Sequence, residues 1–211
     1  VVFLTAWPPT LVVYMDAAME MLRGQHPKKE ILPGGILYYH IDDPVLESDT
    51  PLSEEEAEQA LLFALRPDGL VNSGEEIYRA MDQNFEGKSQ MIPVEIKKNG
   101  EISTARSKVA STEEFAVITR YVEHEIRQCG EAIYAGNIAV NPYRSDIETS
   151  CTYCPYASVC GMDAKIPGYE YRQFASMKKE EVLDQMQTEL ARNRGKEERS
   201  DEMDEGTAER H

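Results

Sequence analysis

Three of the four cysteines in this 211-residue chain fall within ten residues, Cys151-Thr152-Tyr153-Cys154-Pro155-Tyr156-Ala157-Ser158-Val159-Cys160. A C-x2-C-x5-C spacing lets three thiolates converge on one centre, and soft thiolates suit an iron–sulfur cluster, zinc or copper(I). Structural zinc would want a fourth Cys or His, commonly from a second paired motif, and no such pair occurs here. The nearest candidates upstream are His124 and Cys129. Cys129 falls on the apolar stripe of a predicted helix, which points to a buried inert thiol, with ligation as its weaker alternative. A disulfide framework is excluded by the small cysteine count in a chain of this length. The segment is therefore expected to be stapled by a metal, with one ligand still to be supplied.

The rest of the chain reads as α/β. Thr10 to Gly24 is a predicted helix with an apolar stripe at Val12, Met15, Met19 and Leu22. After the turn Leu32-Pro33-Gly34-Gly35, the run Ile36 to Ile41 suits a strand buried on both faces, with His40 a core side chain. Capping boxes at Ser53/Glu56, Ser73/Glu76 and Ser111/Glu114 open three further helices, each Ser and Glu satisfying orphan amides reciprocally. The last of these is the longest, its apolar positions running from Phe115 through Ile118, Val122, Ile126, Cys129 and Ile133 to Gly136. Ile92 to Lys97 and Glu101 to Ala105 flank Lys98-Asn99-Gly100 as a β-hairpin. A short strand is expected at Ile138 to Val140, and a helix from about Lys178 to Leu190. The charged segment 193–211 is too poor in apolar residues to offset its ordering entropy and is expected to be disordered.

The formal charge of -16 is concentrated. Eight acids and no Lys or Arg lie between Asp42 and Glu58. A stretch of that kind faces solvent and repels phosphates, so composition argues against this chain binding DNA by itself. No apolar run reaches the roughly 18 to 20 residues of a membrane helix, and a cytoplasmic location without membrane contact is expected.

Beyond the cysteines, Ile138-Ala139-Val140-Asn141-Pro142-Tyr143-Arg144 and the block Thr149 to Cys160 resemble the C-terminal signature of the AddB (RexB) family, the B subunits of bacterial helicase-nucleases. The similarity also takes in Tyr14 to Met19, Gly35 to His40, Glu75 to Asp82, Gln90 to Gly100 and Gly168-Tyr169-Glu170-Tyr171-Arg172. It implies the C-terminal part of a PD-(D/E)xK, restriction-endonuclease-like nuclease domain, helices packed on a small mixed sheet, with a cysteine-rich cluster-binding segment. By the same resemblance, segment 1–9 has no counterpart, 10–176 is nuclease domain including the cluster segment 151–160, 177–192 is a C-terminal helix and 193–211 a charged tail. Cys151, Cys154 and Cys160 would hold a 4Fe–4S cluster whose fourth ligand lies far upstream in the family and is absent here, unless Cys129 replaces it.

The family's nuclease holds Mg²⁺ on an Asp and a D/E-x-K of adjacent strands, where hard carboxylate oxygens suit the hard cation. Those strands precede the position of Leu11, so Mg²⁺ is expected only in the complete domain and the chain is expected to be a truncated or frameshifted piece. A following Q-x-x-x-Y motif places Tyr14 at its Tyr and Thr10 where Gln is expected. Glu95-Ile96-Lys97, with Asp68 and Asp82 as candidate partners, is an E-x-K by itself, but its strand runs into the Asn99-Gly100 turn, where alternating charges face water. The implied partners are the helicase-nuclease A subunit, the upstream part of the B subunit, and DNA through the complex, in double-strand-break repair. The alternative is a non-catalytic zinc or iron–sulfur module serving protein interaction.

Overall fold

The computed structural model describes residues 9–41, 44–48, 51–83, 85–145, 149–174 and 177–208, with side chains described as far as 194. Segment 1–8, Asp42, Asp43 and Asp49 of the acidic stretch, and the tail end 209–211 lie outside the described residues. The chain divides into two compact units, one ending at Arg120 and the other beginning at Tyr121. That division falls inside a helix, whereas the sequence-derived boundaries at 176 and 192 follow changes of composition.

In the first unit, helix α1 (Pro9–Gln25) leads to strand β1 (Gly35–Tyr38), helix α2 (Glu54–Ala64), strand β2 (Asp68–Asn72), helix α3 (Glu75–Met81) and strand β3 (Val109–Ala110). The strands form a mixed sheet in the order β1-β2-β3. β1 is antiparallel to β2, with Gly35 opposite Val71 and Tyr38 opposite Asp68, and β3 is parallel to β2, with Val109 opposite Val71. The predicted α/β class with helices on a small mixed sheet is thus the observed one.

The core is Val71, Tyr78, Phe85, Ile92, Val94, Ile96 and Val109, with Leu37 and Ile102 partly buried against it. Each fully buried side chain of this size contributes roughly 1.5–3 kcal/mol. Gly69 makes the β1–β2 approach workable. Its φ of 144° lies where L side chains rarely go, and a Cβ there would collide with the Ile36 carbonyl oxygen. The expected hairpin forms only next to its turn, as bridges and not as strands over Ile92 to Lys97 and Glu101 to Ala105: Lys97 N–H donates to Glu101 O at 2.8 Å, Gly100 N–H closes the turn onto Lys97 O at 2.9 Å, and Ile96 bridges Ile102.

Several expectations need correction. β1 is an edge strand, because its pairing is antiparallel and one-sided. Ile36 is buried, while Tyr38, Tyr39, His40 and Ile41 are exposed, so the run is not buried on both faces and His40 is not a core side chain. Along α1 only Val12 is buried, and Leu22 of the predicted stripe is exposed. The Ser53/Glu56 box forms, but Ser73/Glu76 does not: α3 is capped by Gly74. The cause is that Ser73 N–H extends the sheet onto Ala110 O at 2.9 Å, and the cap position moves one residue on. Asn72 then supplies what the box would have, its buried side-chain oxygen accepting from Gly74 N–H at 2.9 Å while its amide nitrogen donates to Pro33 O and Thr112 Oγ1.

Helix α4 (Thr112–Tyr134) opens with the Ser111/Glu114 box as expected. Phe115, Ile118 and Val122 are buried, but Ile126, Cys129 and Ile133 are exposed, so the stripe is a core face only in its first half. Beyond it the second unit holds strand β4 (Tyr143–Ser145), the one-turn helix α5 (Ala157–Cys160), strand β5 (Arg172–Phe174) and helix α6 (Lys179–Ala208). The strand expected at Ile138 to Val140 is displaced to β4, and Ile138 is exposed.

Helix α6 does not stop near Leu190; it runs through the segment expected to be disordered. Low apolar content rules out a core, but it does not rule out propagation of an existing helix through residues such as Ala191, Arg192, Arg194, Lys196, Glu197 and Glu198, all good helix formers. The first half of α6 is anchored. Tyr121 Oη donates to Glu189 Oε2 at 2.6 Å, the Asn193 amide meets His124 Nε2 at 2.8 Å, and Leu183 and Met186 are buried. Because 121 pairs with 189 and 124 with 193, α4 and α6 run in the same direction where they meet, and the cysteine segment is the connection between them.

Candidate metal centre

The cysteine segment hangs from β4. On one side β4 pairs in parallel with β5, Tyr143 opposite Arg172 and Ser145 opposite Phe174. On the other, Arg144 bridges Thr149, Ser150 N–H donates to Tyr143 O at 3.1 Å and Tyr143 N–H donates to Ser150 Oγ at 3.0 Å. The Tyr143 and Phe174 rings meet edge to face, 5.6 Å apart. Cys151 follows directly from this pairing. Its N–H donates to Thr149 Oγ1 at 3.2 Å and its carbonyl accepts from Cys154 N–H at 3.3 Å, which folds the first two cysteines into one turn. Cys160 ends α5, where its N–H bonds Tyr156 O at 2.9 Å, and Gly161, at a φ of 66°, turns the chain away in the left-handed conformation that favours glycine.

Cys151, Cys154 and Cys160 are half-buried free thiols. Among the described residues no group of three or more His, Cys, Asp or Glu side chains is arranged to hold a metal ion. Cys129 departs from expectation: it is exposed on α4, and it is not part of a buried stripe.

Two residues near the thiols carry no ligand-like motif in the sequence. Tyr171 is half-buried just ahead of β5. The neighbouring Cys151 first, then desolvation, raise the phenol above its ordinary value against the opposing Arg144 and Thr149. The Arg144 guanidinium stacks over the Tyr171 ring, 4.5 Å from its centroid. The only sequence signal is that both residues lie in stretches resembling the family.

The carboxylates that make the E-x-K reading are each engaged elsewhere. Glu95 accepts from Arg106 Nη1 at 2.9 Å, and Asp82 accepts from Ser89 Oγ at 2.6 Å. Asp68 is held by Lys108 Nζ at 2.6 Å, Gly69 N–H at 2.8 Å and Tyr38 Oη at 3.4 Å. Burial would push the Asp68 carboxyl up, but these donors together hold it below its usual value. The three are structural ion pairs and hydrogen bonds within the first unit. Tyr14 is also in that unit, on α1, with two thirds of its surface exposed. The acids opening α2, Glu54, Glu55 and Glu56, are exposed and sit in its first turn, where negative charge offsets the helix dipole. No described helix is long and apolar enough to cross a membrane.

Comparison with known proteins bears on this geometry. Residues 5–161 match the PD-(D/E)XK nuclease superfamily, reaching into the segment 1–9 that the resemblance left without a counterpart. The B subunit of the ATP-dependent helicase/deoxyribonuclease of a Thermoanaerobacter species is 37% identical over 180 residues, 85% of this chain and 15% of that protein. The corresponding B subunits of Lachnoclostridium phytofermentans and Clostridium botulinum are 39% and 36% identical, over 82% and 85% of the chain. The chain spans about 15% of the length of the curated relatives it matches.

Proposed function

Because this chain belongs to the PD-(D/E)XK nuclease superfamily, we propose that it works as part of the nuclease domain of a B-type subunit of an ATP-dependent helicase/deoxyribonuclease, with Cys151, Cys154 and Cys160 holding three corners of a 4Fe–4S cluster. The observation that carries the reading is the cysteine segment: three free, half-buried thiols in one turn and one helical turn, suspended from β4. The donor set, three soft thiolates, fits an iron–sulfur cluster. The cluster's contribution is a cross-link. A fourth ligand from a distant part of the chain would close a long loop and remove unfolded-state entropy. Cytoplasmic double-strand-break repair, with a helicase-nuclease A subunit and DNA as partners, belongs to the same proposal.

The described residues do not fit a Mg²⁺ site, since Asp68, Asp82 and Glu95 are separately satisfied, and no hydrolytic step is assigned to them. Anaerobic reconstitution of the whole chain with iron and sulfide, read by visible absorption and by iron and sulfide analysis, tests the cluster. A brown chromophore that disappears in Cys151→Ser is expected, and persistence in Cys129→Ser shows that Cys129 is not recruited. Stoichiometric zinc without sulfide, indifferent to Cys151→Ser, overturns the reading.

A further inference from the structure

The first two cysteines are brought together by backbone hydrogen bonds alone. Thr152 N–H donates to Thr149 O at 3.1 Å and Cys154 N–H to Cys151 O at 3.3 Å, two overlapping turns that start from the residue bridged to Arg144 of β4. A turn closed in this way keeps its first and fourth Cα atoms within about 7 Å, and a disulfide spans about 4.4–6.8 Å between Cα atoms. We propose that Cys151 and Cys154 form a dithiol modification site, oxidised to a Cys151–Cys154 disulfide by small-molecule disulfides when no metal holds the thiols. The cross-link itself does not depend on the cluster reading; its consequence for iron uptake rests on that reading.

Three observations select this pair. Both thiols are free and half-buried, and Tyr153 between them is exposed, so the turn faces solvent and a dissolved disulfide. Cys151 is anchored by its N–H to Thr149 Oγ1 at 3.2 Å, while Pro155 disfavours helical backbone at Cys154, so the turn is kept from both ends. Cys160 lies a further turn and a helical turn along the chain: Ala157 N–H donates to Cys154 O at 3.4 Å, and Cys160 N–H to Tyr156 O at 2.9 Å at the end of α5. The step is two thiol–disulfide exchanges. One cysteine thiolate attacks a sulfur of the small-molecule disulfide, whose S–S bond breaks as one thiolate leaves; the second cysteine sulfur attacks the first, and the other thiolate leaves. Two electrons pass from the cysteine sulfurs to the oxidant, and the two thiol protons end on the two released thiols. The ring runs only from Cys151 to Cys154, so closing it removes little unfolded-state entropy and the bond is readily reduced again. Oxidation withdraws two of the three sulfurs from an iron centre, and reduction returns them.

The test places the whole iron-free chain in buffers of oxidised and reduced glutathione, then alkylates the remaining thiols and maps the peptides by mass. Cys151 and Cys154 are expected in one cross-linked species with Cys129 and Cys160 alkylated, and Cys160→Ser should leave the cross-link unchanged. The native chain should close it with an equilibrium constant about tenfold larger than in guanidinium chloride, where the spacing remains but the turn is lost. That comparison separates the fold from proximity in sequence. Glutathione adducts in place of the cross-link, pairing of Cys160 with either partner to the same extent, or equal constants with and without denaturant overturn the proposal. Iron and sulfide are then offered anaerobically to the cross-linked chain and to the same chain after a dithiol reductant. A chromophore only after reduction is expected, and uptake by the cross-linked chain overturns the redox control of iron uptake. A chain that takes up no iron in either state overturns the cluster reading instead, with the cross-link judged by the mass map alone.

Discussion

Removing one oxygen from the buried end of α4 should loosen α6 measurably. Tyr121 is fully buried and its hydroxyl donates to Glu189 Oε2 at 2.6 Å, a hydrogen bond to a charged group. Such bonds contribute about 1.5–3 kcal/mol net. Glu189 is half-buried, so a carboxylate that loses its donor can recover water, and the lower end applies: about 1.5 kcal/mol for Tyr121→Phe. The phenyl ring still fills the site, so no cavity contributes. Amide hydrogen exchange across Val182 to Leu190 is the suitable readout, because it reports local opening without requiring both units to unfold together. A loss of this size accelerates exchange about tenfold. Glu189→Gln, which keeps a neutral acceptor, should lose less, and Tyr121→Phe combined with Glu189→Gln should be no worse than Tyr121→Phe alone. Additive effects, or exchange unchanged in Tyr121→Phe, would refute the claim that this bond holds α6.

Three further outcomes are expected. Gly69→Ala should cost about 2 kcal/mol or more in chemical denaturation, through both its φ of 144° and collision with Ile36 O; a neutral variant contradicts the tight β1–β2 approach. Ser53→Ala should cost about 1 kcal/mol by loss of the α2 capping box, while Ser73→Ala stays within about 0.5 kcal/mol, since its hydroxyl caps nothing; equal losses would restore the second box. The Asp68–Lys108 pair should contribute at most about 1 kcal/mol, because both side chains are more than a third exposed. With the folded carboxyl below its unfolded value, that contribution is complete above the unfolded pKa of about 4 and is lost as pH falls through the lower folded value, so Asp68→Asn should be destabilised at pH 7 and match wild type near pH 2.

What the sequence showed was mostly local. Ser53/Glu56 and Ser111/Glu114 are satisfied within four residues, so their boxes survive whatever surrounds them. Ser73 has the same pattern but lies at the end of a sheet strand, and its N–H goes to Ala110, a partner that spacing alone does not reveal. The cysteine spacing was legible for the same reason: all three thiols belong to one short segment. The suspension of that segment from β4 was not, because it depends on β4 pairing with two separate stretches. The apolar positions of α4 were visible, yet periodicity says which residues share a face, not how far along the helix that face is covered. Likewise Glu95 reads as half of a metal motif until Arg106 is seen beside it.

The parallel course of α4 and α6 has a consequence for the order of events during synthesis. Tyr121 and Glu189 are separated by 68 residues, so α4 emerges from the ribosome with its later partner still unmade. At about 5–20 residues per second the interval is about 3–14 s. Helix formation and small-loop closure need only microseconds, so the β4 pairings with Thr149 and Ser150, and the turns that carry Cys151 and Cys154, have time to form before Glu189 and Asn193 exist. The cysteine loop is thus shaped while the segment that will form α6 is still unmade, and α6 closes beside α4 only afterwards.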